Sequence, residues 1–122
     1  MPRPVHFELT VQDADRAAAF YDAIFGWQVT HRDGPGDYWT VSTGDPTTPG
    51  VDGGLRLRMP GEPPGVVNTI PVDSVDQTLS VIQEEGGSVI VPPFVVPGIC
   101  RIAYASDPDG NAFAIVEAAP SD

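Results

Sequence analysis

The chain has 122 residues, enough for one domain or two small modules sharing a core, and its 41% hydrophobic content supports a folded interior rather than a disordered one. Six Arg, no Lys and seventeen Asp plus Glu give a formal charge of −11, which repels a phosphate backbone and an anionic membrane surface. The single cysteine, Cys100, excludes an intrachain disulfide and a multi-cysteine metal site.

Taken in order, the chain opens with alternation. Val5, Phe7, Leu9 and Val11 share one face and His6, Glu8 and Thr10 the other, the period of a half-buried strand. A helical period follows, with Ala17, Phe20 and Ile24 on one side, Asp13 as its cap and Gly26 as its end. Trp27-Gln-Val29 reads as the next strand, and 31–37 as a turn rich in Gly, Pro and Asp. Tyr38–Ser42 is the third strand and 44–50 an exposed loop. A fourth strand starts near Gly53, with Leu55 and Leu57 on one face and Gly54, Arg56 and Arg58 on the other. Pro60 to Gly65 interrupts the pattern and suits a linker short enough to keep two modules touching.

The plan then repeats. Val66–Val72 reads as strand and Ser74–Glu85 as a helix with Val75, Leu79 and Ile82 on one face. Gly86-Gly87 closes it, and a strand over 88–96 is either kinked or at an edge because of Pro92-Pro93. Ile99–Ala105 alternates, with Cys100, Ile102 and Tyr104 together. Ser106-Asp-Pro-Asp-Gly-Asn111 is a turn, and Ala112–Glu117 the last strand. The expected fold is α+β: β-α-β-β-β twice, as modules 4–60 and 65–118 forming one structural domain. Phe7, Phe20, Phe25 and Phe113 are expected in its core.

The order VHFELTVQDADRAAAFYDAIFGW, the second helix ending in EEGG and the late SDPDGNAFAIVE resemble the glyoxalase / bleomycin-resistance / extradiol-dioxygenase family, the vicinal oxygen chelate fold. The resemblance runs from Val5 to Glu117. It implies paired modules whose sheets curve into a half-open barrel around a cleft, and a family containing both metal-dependent enzymes and metal-free drug binders. In the metal-using relatives, four ligands come from the first and last strands of the two modules. Carried over residue by residue, those positions are His6, Gly54 (or Arg56 with a shift of two), Val67 and Ala114. One donor of four survives, so neither a metal nor any other cofactor is expected.

Candidate ligand-binding residues are His6, Glu8, Arg56, Arg58, Tyr104 and Trp39. Tyr38 and Trp39 must face opposite ways, so only one of them joins the site. Glu8 beside His6 could orient its imidazole or raise its pKa. No catalytic residue is assigned. If Arg56 and Arg58 point inward, the expected ligand is a small aromatic molecule carrying one acidic group. The preferred function is metal-independent binding of a small organic molecule. Alternatives are a metal-dependent lyase or dioxygenase using His6, and a structural protein without a ligand site. Without a signal-peptide core or a long apolar run, a soluble cytoplasmic protein is the default, with a homodimer as a possible assembly that light scattering would detect.

Overall fold

The computed structural model describes residues 2–33 and 37–118 and contains eight strands and two helices, the mixed α+β content the repeat predicts. In chain order they are β1 (His6–Val11), α1 (Ala14–Phe25), β2 (Gln28–Arg32), β3 (Tyr38–Ser42), β4 (Gly53–Leu57), β5 (Gly65–Pro71), α2 (Val75–Glu84), β6 (Ser88–Val96), β7 (Cys100–Ser106) and β8 (Ala112–Ala118). The turn expected over 31–37 begins later than its composition suggests, because His31 and Arg32 complete β2. Its Gly34-Pro35-Gly36 part lies outside the described residues.

Two compact units divide within β5. One comprises His6–Val67; the other comprises the described residues from 68 onward together with 2–5. Their wiring is the same. In the first, β1 pairs parallel with β4, and β3 lies antiparallel between β4 and β2. In the second, β5 pairs parallel with β8, and β7 lies antiparallel between β8 and β6. Each parallel pair is joined by a long crossover, which parallel pairing requires, and each crossover here includes a helix. β6 runs through Pro92-Pro93 at the edge of this second set, with register shifts at Val89/Val91 and Val91/Phe94 that absorb the missing donors.

The helices are built alike at their starts and differ in what they bury. Asp13 caps α1 by accepting from Arg16 N, and Ser74 caps α2 by accepting from Gln77 N. Glu117 on β8 adds a second acceptor at α2, 2.9 Å from Val75 N, where a carboxylate favours the helix dipole. Val75 and Leu79 then pack into a core with Ala103, Ala105 and Ile115; the two alanines let the helix approach the sheet closely. α1 buries Ala14. Phe7 and Phe113 are partly buried, whereas Phe20 is 57% and Phe25 61% exposed, which corrects their assignment to the core. The less exposed residues of α1 are Ala14, Ala17, Ala18 and Tyr21, whose helical angles cluster together, while Phe20 and Ile24 fall on the flank of that stripe. Among the described residues no helix is long and apolar enough to cross a membrane.

Candidate functional site

The first unit carries a polar sheet face. Strand alternation puts His6, Glu8 and Thr10 of β1 on one side. The register Glu8↔Gly54 and Thr10↔Arg56 places Gly54 and Arg56 of β4 beside them. Tyr38 of β3 is paired with Arg56 and so joins the same face. Phe7, Leu9, Leu55 and Val41 point the other way.

Gly54 makes the central contact possible. A Cβ there would overlap the Tyr38 hydroxyl and ring. Without one, the phenol lies across β4 and its Oη comes 2.9 Å from His6 Nε2. Burial of the imidazole lowers the His6 pKa below its ordinary value, outweighing the upward pull of Glu8 and Asp52. At neutral pH His6 is therefore uncharged, with one ring nitrogen donating and the other accepting. The partner tyrosine hydroxyl can do either, so the pair can present a donor or an acceptor to a third group.

A second cluster sits beside it. Arg56 Nε donates to Glu8 Oε1 at 2.7 Å, and Nη1 and Nη2 donate to Glu62 Oε1 and Oε2, each at 2.7 Å. The side chains are 16% exposed for Arg56, 8% for Glu8 and 19% for Glu62, so the network is largely desolvated. The Arg56 hydrogen bonds hold the Glu62 carboxyl below its ordinary pKa. Arg56 is thus charge-compensated by two carboxylates, which removes the basis for expecting an acidic ligand. Arg58 donates from Nη2 to Thr10 O at 3.1 Å and its backbone N–H bonds Val11 O, so it ties β4 to β1. Its buried Nε has no hydrogen-bond partner among the described residues.

Of the residues singled out from sequence, His6, Glu8 and Arg56 meet on this face with Arg58 close by. Trp39 does not. It alternates to the opposite side of β3, where its ring lies 4.9 Å from that of His31. Tyr38 is the member of that pair that reaches His6. Glu62 was hidden in what reads as a linker; its signal is a carboxylate six residues after Arg56, across a turn in which Gly61 takes φ 80°. Tyr104 belongs to the other unit. There it shares the Cys100 and Ile102 side of β7 and stacks on Phe94 with centroids 6.5 Å apart. Burial pushes the Cys100 thiol pKa up, which suits an unreactive side chain.

The metal implied by the fold has little to bind. Gly54, Val67 and Ala114 offer no side-chain donor, and His6 Nε2 is already within hydrogen-bond distance of Tyr38. Among the described residues no three His, Cys, Asp or Glu side chains group as a metal site would need. These residues do not fit a divalent ion.

A family model described as the Glyoxalase/Bleomycin resistance protein/Dioxygenase superfamily matches residues 3–115. CFP32 of Mycobacterium bovis, which bears a provisional glyoxylase name, is 33% identical over 117 residues, covering 93% of this chain and 43% of CFP32. The anthracycline biosynthesis protein DnrV of Streptomyces peucetius is 30% identical over 131 residues, covering 92% of this chain and 46% of DnrV. The chain thus spans less than half the length of these curated relatives. Among solved structures, methylmalonyl-CoA epimerase from Mycobacterium tuberculosis superposes with a TM-score of 0.68 at 16% identity, covering 96% of this chain and 88% of the epimerase. That likeness is one of fold.

Proposed function

The chain belongs to the Glyoxalase/Bleomycin resistance protein/Dioxygenase superfamily, and from that premise we propose that it binds a small, uncharged organic molecule through the polar face of the His6–Val67 unit without a metal ion. One observation carries this reading: the Tyr38 hydroxyl lies over Gly54 and within hydrogen-bond distance of His6 Nε2. The neutral donor–acceptor pair is built on His6, the one position of the metal-using relatives' ligand set at which this chain keeps a donor. Such a pair recognises a carbonyl or hydroxyl oxygen, with one hydrogen bond contributing about 0.5–1.5 kcal/mol net. An anionic ligand gains less, because Arg56 is already paired with Glu8 and Glu62.

Two measurements test the proposal. Protein purified without chelators and dialysed against Zn²⁺, Ni²⁺, Mn²⁺ or Fe²⁺ is expected to retain far less than one ion per chain. Near-stoichiometric metal that disappears on His6→Ala would favour a metal-dependent lyase or dioxygenase instead. NMR titration with 2-naphthol, 2-naphthoate and 2-naphthylmethylammonium, matched in ring size, is expected to move the His6 and Tyr38 resonances most with the neutral compound. Recovery of the compound unchanged distinguishes binding from turnover.

A further inference from the structure

The connection from Met59 to Gly65 has the composition of an inert linker, yet it delivers a carboxylate into the polar face. Glu62 N donates to Met59 O at 2.9 Å, and Met59 N donates back to Glu62 Oε1 at 2.9 Å, so a tight local turn fixes where the side chain leaves the backbone. The carboxylate then meets the Arg56 guanidinium with two N–H···O bonds of 2.7 Å, oxygen to nitrogen on both sides. This fork-to-fork geometry is the one by which arginine takes a carboxylate from a ligand. Arg56 is fixed independently, because its Nε is held by Glu8 and its backbone lies in β4 between β1 and β3. The Nη1 and Nη2 edge would therefore keep its position if Glu62 left.

Charge accounting decides what that edge would attract. Glu8, Arg56, Glu62 and Arg58 are together formally neutral, and without Glu62 the same group carries one net positive charge. The pull of both arginines on the Glu62 carboxyl, direct from Arg56 and through space from Arg58, marks this spot as favourable to an anion. A tethered carboxylate acts at an effective concentration in the millimolar range or higher, so a free carboxylate at ordinary concentration competes poorly.

We propose that Glu62 is an internal carboxylate that occupies an anion-binding fork on Arg56, and that it is the residue that sets the charge class of ligand on this face. With Glu62 in place, carboxylates are refused; without it, the face takes a small monocarboxylate. The proposal rests on the preceding reading only for its biological consequence, because the fork can be titrated whatever the protein's own ligand is.

The test is calorimetric titration of sodium benzoate, with benzamide as the uncharged control, into wild type, Glu62→Ala, Glu62→Gln and the double variant Glu62→Ala/Arg56→Met. Wild type is expected to bind benzoate weakly or not at all. Glu62→Ala should bind it at least about tenfold more tightly, the effect of one charge-assisted contact. Glu62→Gln, which keeps an acceptor for Met59 N–H and loses the charge, should fall between them and carries the test if the alanine variant does not fold. The gain should vanish in the double variant, and benzamide should be indifferent throughout. Equal benzoate binding by wild type and the folded Glu62 variants would overturn the proposal, as would a gain that survives Arg56→Met. A benzoate gain alongside indifference of His6 and Tyr38 to the neutral naphthol would sink the proposed function and leave this inference standing.

Discussion

At the scale of single residues, Gly54 and Tyr38 form one device. The phenol crosses β4 because nothing stands above Gly54, so the two positions are coupled and their substitutions should not add. Gly54→Ala alone places a Cβ against the Tyr38 ring and is expected to cost about 1–3 kcal/mol, as overpacking does. In a Tyr38→Ala background the same change should be nearly free, and urea unfolding of the double-mutant cycle measures the difference. His6 supplies the pH signature of the pair. Its folded pKa lies below the value of 6.5 it has when unfolded, so the unfolded chain binds the extra proton first as pH falls. The His6 contribution is fully present above 6.5 and is lost as pH falls from there through the lowered folded value. Tyr38→Phe removes a hydrogen-bond partner and should shift the His6 titration followed by NMR; an unchanged titration would show that the 2.9 Å contact is not formed in solution.

At the scale of elements, the two helices occupy matching places in the repeat and bury different kinds of residue. Leu79 and Val75 of α2 reach a packed core, so Leu79→Ala is expected to cost about 2–5 kcal/mol in urea unfolding. Phe20→Ala on α1 should cost less than about 1 kcal/mol despite removing a larger side chain, because the residue is 57% exposed. This contrast marks how far the sequence could be read. Alternation, helical period and the Gly- and Pro-rich breaks between them located the eight strands and both helices of the described residues. The repeat of that pattern implied the shared wiring. What stayed hidden depends on neighbours that periodicity does not see. The stripe Ala17, Phe20 and Ile24 looks like a core face, yet Ala14 is the residue the helix buries while Phe20 and Ile24 stay exposed. Tyr38 and Trp39 are equally plausible until the register with Arg56 fixes which one faces His6. Glu62 is invisible because its role depends on a turn bringing it back to a strand six residues earlier.

At the scale of the whole molecule, two electrostatic effects oppose each other. The excess of eleven acidic charges repels itself and disfavours the compact state. Against this stand a few ion pairs of unequal standing. Arg101–Asp76 at 3.0 Å is exposed on its acidic side, and pairs of that kind add little to stability and weaken with salt. The Glu8–Arg56–Glu62 network is largely desolvated and screened much less. Raising salt therefore removes more repulsion than attraction, because the screening length falls from about 30 Å at 0.01 M to about 10 Å at 0.1 M. The melting temperature at pH 7 is expected to rise with NaCl over that range, and a fall would mean that exposed ion pairs outweigh the self-repulsion. The same comparison separates local from global charge. Asp109→Asn and Glu62→Ala each lower the net charge from −11 to −10. The first removes an acid from an exposed turn and should be neutral or slightly stabilising. The second removes the bidentate partner of Arg56 and should destabilise by about 1–3 kcal/mol, the cost of leaving a desolvated hydrogen-bonding edge unmatched. Equal unfolding free energies for the two variants would mean that the Glu62 fork is no stronger in solution than an ordinary surface charge.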